Sequence, residues 1–315
     1  MLICPRHLSP GDTLGIIAPA SAPPDPKVVD HAVKVLKRLG FRVKLAPNVH
    51  KRHGFLAGTD RERASDVMRM FTDKKVDAVL CVRGGYGTAR LLPMLDYKAI
   101  RANAKIFVGF SDITSLHCAF LREAKLISFH GPMLVSDFAN AEMPEFTVKS
   151  FLETLSGKRM GLCDGYAGKT VKILRRGVAR GQLVGGNLAL LCTTLGTRWR
   201  PEFKGRILFL EDIGEQPYRF DRMLTQLLNC GLLQKVAGVV VGLNADCEDP
   251  KAKATTEYRQ TLEDVLRERL LPLKIPMVMG LPFGHVAHNG TLPFGIKVEL
   301  DANRGELNFA EPCVS

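Results

Sequence analysis

The feature that most limits how this 315-residue chain can fold is a regular alternation of short apolar runs and amphipathic segments over its first 130 residues. Residues 13–18 are an apolar run ending in Pro19-Ala20-Ser21. Asp25-Pro26 then caps a helix with Val29, Ala32, Val33, Leu36 and Leu39 on one face and Gly40 as its stop. Phe41, Val43 and Leu45 alternate as a half-buried strand. The pattern continues with a helix over 59–72, a buried strand over 76–82, a helix over 88–95, a strand over 105–110, a helix over 112–124 and a closing strand over 126–129. Such a rhythm predicts a doubly wound parallel α/β sheet with helices on both faces. Ligands of these sheets sit beyond the carboxyl ends of the strands. Three turns are therefore of interest: Pro19-Ala20-Ser21, Gly84-Gly85-Tyr86-Gly87 and Phe110-Ser111-Asp112.

The rest of the chain divides in two. Residues 141–176 hold Pro144, Gly157, Gly161, Gly165 and Gly168 and read as a linker or crossover between a domain over 1–140 and another over 177–315. In the second half, an apolar segment at 183–195 precedes a strand over 206–210 that ends in Glu211-Asp212. A helix over 218–229, a strand over 237–242 and a helix over 255–270 follow. A strand over 276–280 runs into Leu281-Pro282-Phe283-Gly284-His285, and alternation at Ile296, Val298, Leu300, Leu307 and Phe309 predicts a terminal β-hairpin.

Composition narrows the class. Hydrophobic residues at 46% and charged residues at 24% suit a globular core and exclude disordered, collagen-like and disulfide-scaffold chains. No stretch is long and apolar enough for a membrane span, and Pro5, Pro10 and Asp12 interrupt any secretory signal. Eight scattered cysteines without a CxxC pair fit a reducing compartment, so a cytoplasmic address is expected. The net charge of +12 is concentrated in residues 1–105 and 158–206. Without aromatic interleaving or a nucleic-acid motif, that excess reads as attraction for a small anionic substrate, with no nucleic-acid partner.

Several residues could carry chemistry. Gly85-Tyr86-Gly87 follows a strand, but Arg90 stands where a dinucleotide fingerprint needs its third glycine. Gly168-Lys169-Thr170 resembles the end of a P-loop, yet Cys163 occupies the position of its first glycine. No nucleotide cofactor is therefore expected. Ser111, between a buried strand and a helix, reads either as an N-cap or as a nucleophile on a sharp strand-to-helix turn. Gly109-Phe110-Ser111-Asp112-Ile113 lacks the final glycine of that second pattern. His285 and His288 have HxxH spacing without a third ligand nearby, so no metal is expected. Glu211 becomes chemically interesting only if it meets His285, whose charged state it could stabilise.

Taken together, five motifs resemble the LD-carboxypeptidases, the murein tetrapeptide carboxypeptidases with a Ser-Glu-His triad. They are the runs from Val82 to Leu92 and from Gly109 to His117, then Gly185-Gly186-Asn187-Leu188, Leu210-Glu211-Asp212 and the run from Gly280 to His285. The similarity extends in order from about Gly11 to Gly295. It implies a Rossmann-like N-terminal domain carrying the nucleophile and a smaller β-rich α/β C-terminal domain carrying the triad Glu and His. It also implies Ser111 as nucleophile, Glu211 as triad carboxylate, His285 as general base, and the backbone N–H groups of Gly85 and Asp112 as oxyanion hole. Tyr86 and Asn187 are expected to contact substrate, and His117, His130 and His288 to be structural. The implied reaction removes terminal D-alanine from the L,D-bond of muropeptide stems in cytoplasmic wall recycling, by a homodimer. A microcin-immunity-type hydrolase of peptidyl or aminoacyl adenylates shares these motifs, and a catalytically silent muropeptide-binding protein is a further alternative.

Overall fold

The structure, a computed structural model, describes residues 1–158, 161–162, 171–248 and 260–315. Strands β1 (Thr13–Ile17), β2 (Arg42–Leu45), β3 (Ala78–Cys81), β4 (Ile106–Gly109) and β5 (Ser128–His130) lie side by side in the order β5-β4-β3-β1-β2, all parallel. The connecting helices are α1 (Pro26–Arg38), α2 (Asp60–Thr72), α3 (Tyr97–Ala102) and α4 (Thr114–Ala119). Asp25 accepts from the Lys27 N–H at the start of α1, and Thr59 and Glu62 close a capping box on α2. Central β3 and β4 are wholly buried, whereas edge strand β2 is partly exposed.

Two segments expected as plain helices differ. Residues 88–95 form two 3-10 turns, Thr88–Arg90 and Leu92–Met94, because Pro93 has no N–H to donate and restricts Leu92. The segment after β4 opens as a 3-10 turn at Ser111–Ile113 and closes as a π turn at Phe120–Ala124, with α4 between them.

The stretch expected as a linker contains α5 (Glu145–Leu155). Its inner face mixes buried Phe151 and Leu155 with buried Thr147, Ser150 and Thr154, which hides the apolar periodicity. The hydroxyls do specific work there. Thr147 Oγ1 donates to the Ala287 carbonyl (2.7 Å) and accepts from the Asn289 N–H (3.0 Å), while Ser150 Oγ accepts from the Thr291 N–H (2.9 Å). The P-loop-like residues 168–170 lie outside the described residues.

The second sheet takes in β6 (Gly161–Leu162), β7 (Lys172–Arg175), β8 (Val178–Asn187), β9 (Ile207–Glu211), β10 (Gly238–Gly242) and β11 (Met277–Leu281). After β12 (Leu292–Phe294), the hairpin β13 (Lys297–Asp301) and β14 (Glu306–Phe309) completes it in the order β6-β14-β13-β8-β9-β10-β11-β7. Strands β8 to β11 are parallel and the flanks antiparallel. Helices α6 (Leu188–Thr193), α7 (Pro217–Asn229) and α8 (Leu262–Leu270) belong to this half. Thr261 caps α8; residues 255–259 of the expected helix lie outside the described residues.

The two sheets are tied together by one strand. β12 leaves the second half and pairs antiparallel with β5, making the first sheet six-stranded. Phe209 of β9 meets Phe294 of β12 (ring centroids 6.0 Å), Phe283 (5.8 Å) and the His130 ring of β5 (5.3 Å). Each buried phenylalanine contributes roughly 1.5–3 kcal/mol of transfer free energy. The segment between β11 and β12, which carries His285, is thus seated against the carboxyl end of the first sheet.

Candidate active site

Ser111 sits immediately beyond the carboxyl end of β4 with φ of +64°, in the left-handed region that serine rarely adopts. An N-cap has extended backbone and accepts a bond from the first helical turn. Ser111 does neither: Phe110 is the extended residue ahead of the turn, and no side-chain cap bond forms there. A strained backbone of this kind costs on the order of 1–3 kcal/mol and aims the side chain outward. The geometry favours the sharp-turn reading of Ser111 over the N-cap reading.

The glycine loop after β3 packs against this turn. A Cβ on Gly84 would lie 2.7 Å from Ser111 Cβ and 2.9 Å from its Oγ, so only glycine permits the approach. Gly85 has φ of +109°, and its missing Cβ leaves room for Ser21. Ser21 Oγ in turn accepts from the Tyr86 N–H (3.1 Å). Buried Arg63 donates to the carbonyls of Pro19 and Gly87 and so clamps two of the three turns together. Thr88 fastens the third: its N–H donates to Asp112 Oδ2 (2.8 Å) and its hydroxyl to the Asp112 carbonyl (2.6 Å). Burial raises the Asp112 pKa, opposed by the Thr88 donors. Among the described residues, the backbone N–H groups of Gly85 and Asp112 donate to no protein acceptor.

Glu211 ends β9 and is fully buried; its Oε2 lies 2.6 Å from His285 Nδ1. Burial alone would lower the His285 pKa. The Glu211 hydrogen bond and charge outweigh it, helped by Asp212 and Asp137, so the pKa is raised above the ordinary histidine value. The His285 ring packs edge-on against Phe110, the neighbour of Ser111, at 4.9 Å between centroids. The loop holding it is braced at Asn289, whose Oδ1 accepts from the Gly284 N–H (3.2 Å) and whose own N–H reaches Thr147 of α5.

Ser111, His285 and Gly85 line one cleft of about 550 Å³, together with Arg83, Asp137 and Ile213. Asp137 Oδ2 accepts from the Met133 N–H (2.8 Å), and burial pushes its carboxyl up to about 6. Arg83, Asp137 and Asn289 were invisible to motif reasoning. Arg83 stood inside a recognised run without a role, and Asp137 and Asn289 become relevant only through the packing of α5 and β12.

Other expected residues fall elsewhere. Tyr86 is 49% exposed and packs edge-on against Phe55, at 5.6 Å between ring centroids, beside the loop and outside the cleft lining. Asn187, also expected to contact substrate, is buried and is not among the residues lining this cleft. It caps α6 by accepting from the Leu190 N–H (3.1 Å) and donates to Asp212 Oδ1 (2.8 Å), because β8 sets it in register with Glu211. His117 is buried between Ser128 Oγ and the Gly109 carbonyl, and burial lowers its pKa to about 4. His130 is buried among aromatic rings, and the His288 ring lies against Phe146. Among the described residues, no three His, Cys, Asp or Glu side chains form a metal-holding group. No described helix is long and apolar enough to cross a membrane, and the seven described cysteines are free thiols.

Comparison with known proteins gives this geometry a family. Residues 14–131 match the LD-carboxypeptidase N-terminal domain and residues 180–300 the LD-carboxypeptidase C-terminal domain. A probable murein peptide carboxypeptidase of Bacillus subtilis is 40% identical over 297 residues, spanning 94% of this chain and 91% of the relative. The crystal structure of a muramoyltetrapeptide carboxypeptidase from Oxalobacter formigenes superposes with a TM-score of 0.82 at 35% identity, covering 95% of this chain and 99% of that one. The microcin C7 self-immunity protein MccF superposes with a TM-score of 0.89 at 27% identity, covering 99% and 100%. A mixed α/β chain with parallel-stranded sheets in two domains, matched along most of its length, belongs to the LD-carboxypeptidase family of hydrolases.

Proposed function

We propose that this protein is a serine carboxypeptidase that releases terminal D-alanine from murein tetrapeptides, with Ser111 as nucleophile, His285 as general base and Glu211 as its orienting carboxylate. The observation that carries the reading is the strained Ser111 in one cleft with a histidine whose Nδ1 is held by a buried glutamate.

A serine hydroxyl is a weak nucleophile and needs a positioned base. With Glu211 accepting at Nδ1, the His285 tautomer leaves Nε2 as the proton acceptor. Ser111 Oγ attacks the scissile carbonyl carbon as its proton passes to His285. The oxyanion is met by the N–H groups of Gly85 and Asp112, each worth roughly 10²–10³ in rate. Collapse breaks the C–N bond, and His285 returns the proton to the departing D-alanine amine. Water, deprotonated by the same imidazole, then hydrolyses the acyl-serine. Glu211 stabilises the imidazolium in both halves.

The fold similarity to MccF keeps an adenylate-type substrate as the second reading. Against it, Phe110 is the lone phenylalanine, tyrosine or tryptophan in the lining of the cleft among the described residues; Trp199 lies elsewhere. A silent binding protein would have no use for the strain at Ser111. We place the activity in cytoplasmic wall recycling by a homodimer, a setting in keeping with the free thiols.

The test is mass spectrometry of tetrapeptide and pentapeptide stems after incubation with the protein. D-Alanine release from the tetrapeptide, with little from the pentapeptide, is expected. The last bond of the pentapeptide has a D-centre on its acyl side, which turns that side chain away from the subsite an L-centre fills. Equal rates on both would refute the L,D assignment.

A further inference from the structure

A peptidase that cuts only the last bond must recognise the free end of its substrate, and a carboxylate is recognised by a fixed cation. Resting on the function proposed above, we infer that Arg83 is the specificity residue that anchors the substrate's terminal α-carboxylate.

Three observations lead to Arg83. It is the sole lysine or arginine lining the Ser111–His285 cleft among the described residues. It also has no hydrogen bond or ion pair with any described residue, whereas Arg63 of α2 and Arg90 of the 3-10 turn that follows the glycine loop are both engaged by Asp60. A half-buried arginine without a side-chain partner, lining a cleft, is free to take an anion. Its place in the chain then sets the distance. Arg83 directly precedes Gly84, whose backbone approaches Ser111 so closely that a Cβ would be 2.7 Å from Ser111 Cβ. In a substrate poised for attack, the terminal carboxylate lies about one residue, ~3.8 Å, beyond the scissile carbonyl. A side chain rooted one residue from the nucleophile's contact suits that short span, and the planar fork of arginine matches a carboxylate with two parallel bonds.

Asp137, the other charged side chain in the lining, does not neutralise Arg83. Its carboxylate is engaged by the Met133 N–H and by Asn289, and no ion pair joins it to Arg83. The net +12 charge adds long-range attraction for such substrates but no selectivity for their ends.

The experiment pairs two substrates, the tetrapeptide as free acid and as its C-terminal amide, with wild type, Arg83→Met and Arg83→Lys. D-Alanine or D-alaninamide release gives kcat and KM, and thermal unfolding checks the fold. Wild type should prefer the acid by about 10²-fold in kcat/KM, the scale of a desolvated charge-assisted pair. Arg83→Met should lose that preference by slowing the acid alone, with most of the change in KM. Arg83→Lys should recover part of it, because it restores the charge without the fork. An Arg83→Met enzyme that still prefers the acid as wild type does, or that loses acid and amide equally, overturns the assignment and leaves the carboxypeptidase reading intact. Absence of D-alanine release by wild type from the acid overturns both.

Discussion

Replacing Gly84 by alanine isolates the geometric demand made on Ser111. The added methyl would sit 2.7 Å from Ser111 Cβ and 2.9 Å from its hydroxyl oxygen, with the Asp112 nitrogen at 3.2 Å. Comfortable carbon–carbon contact is about 3.5–4.0 Å, so the serine turn must move by roughly 1 Å. Gly84 is not among the glycines with positive φ, so the new residue brings no backbone strain of its own. Overpacking of this kind costs about 1–3 kcal/mol, which a domain of this size tolerates. Displacement of a reacting atom by about 1 Å costs on the order of 10² in rate. Gly84→Ala should therefore remain folded, with a modestly lowered melting temperature and a kcat for D-alanine release reduced about 100-fold. Labelling of Ser111 by a serine-reactive phosphonate should slow in parallel. Thermal unfolding and both rates can be read on the same preparations. Retention of more than about a third of wild-type kcat by a folded variant would refute the claim that this contact holds the reactive hydroxyl.

Two further substitutions separate strain from chemistry. Ser111→Ala should abolish turnover and keep the fold. Ser111→Gly should also be inactive yet more stable than Ser111→Ala by about 1 kcal/mol in chemical denaturation, because glycine accepts φ of +64° without penalty. Glu211→Gln should lower kcat by about 10⁴ through the wrong imidazole tautomer. The base works only when neutral, so wild-type activity should rise with pH through a His285 pKa lying above the usual value. Loss of the carboxylate should move that acid limb to lower pH, and an unmoved limb in a pH–kcat profile would dissociate Glu211 from His285.

Much of the first domain was legible in the chain because its signals are local. Asp25 before Pro26, Thr59 three residues ahead of Glu62, and the uninterrupted apolar runs of β3 and β4 each depend on neighbours within a few positions. The motif runs around Gly84, Ser111, Glu211 and His285 were equally readable, and the two domain matches cover the same stretches. The helix within residues 141–155 was not legible for a physical reason: the buried face of α5 uses Thr147, Ser150 and Thr154, which look solvent-facing until the His285 loop supplies their partners. The scaffold bonds of Asn187 were not legible, because its register with Glu211 and its bond to Asp212 arise only when β8 and β9 pair.

The sequence by itself determined the alternation of strands and helices, the glycines that let backbones approach, and the residue types from which a triad could be made. That Ser111 and His285 line one cleft, with Glu211 on His285, was decided elsewhere. Glu211 and His285 are 74 residues apart, and Ser111 follows β4 of the other sheet. What joins them is β12 crossing to pair with β5, together with the Phe209, Phe283 and Phe294 cluster behind it. Non-local pairing and burial of this kind have no period along the chain. The same holds for the free guanidinium of Arg83 and the raised pKa of His285, which depend on which groups end up within a few ångströms in a low-dielectric cleft.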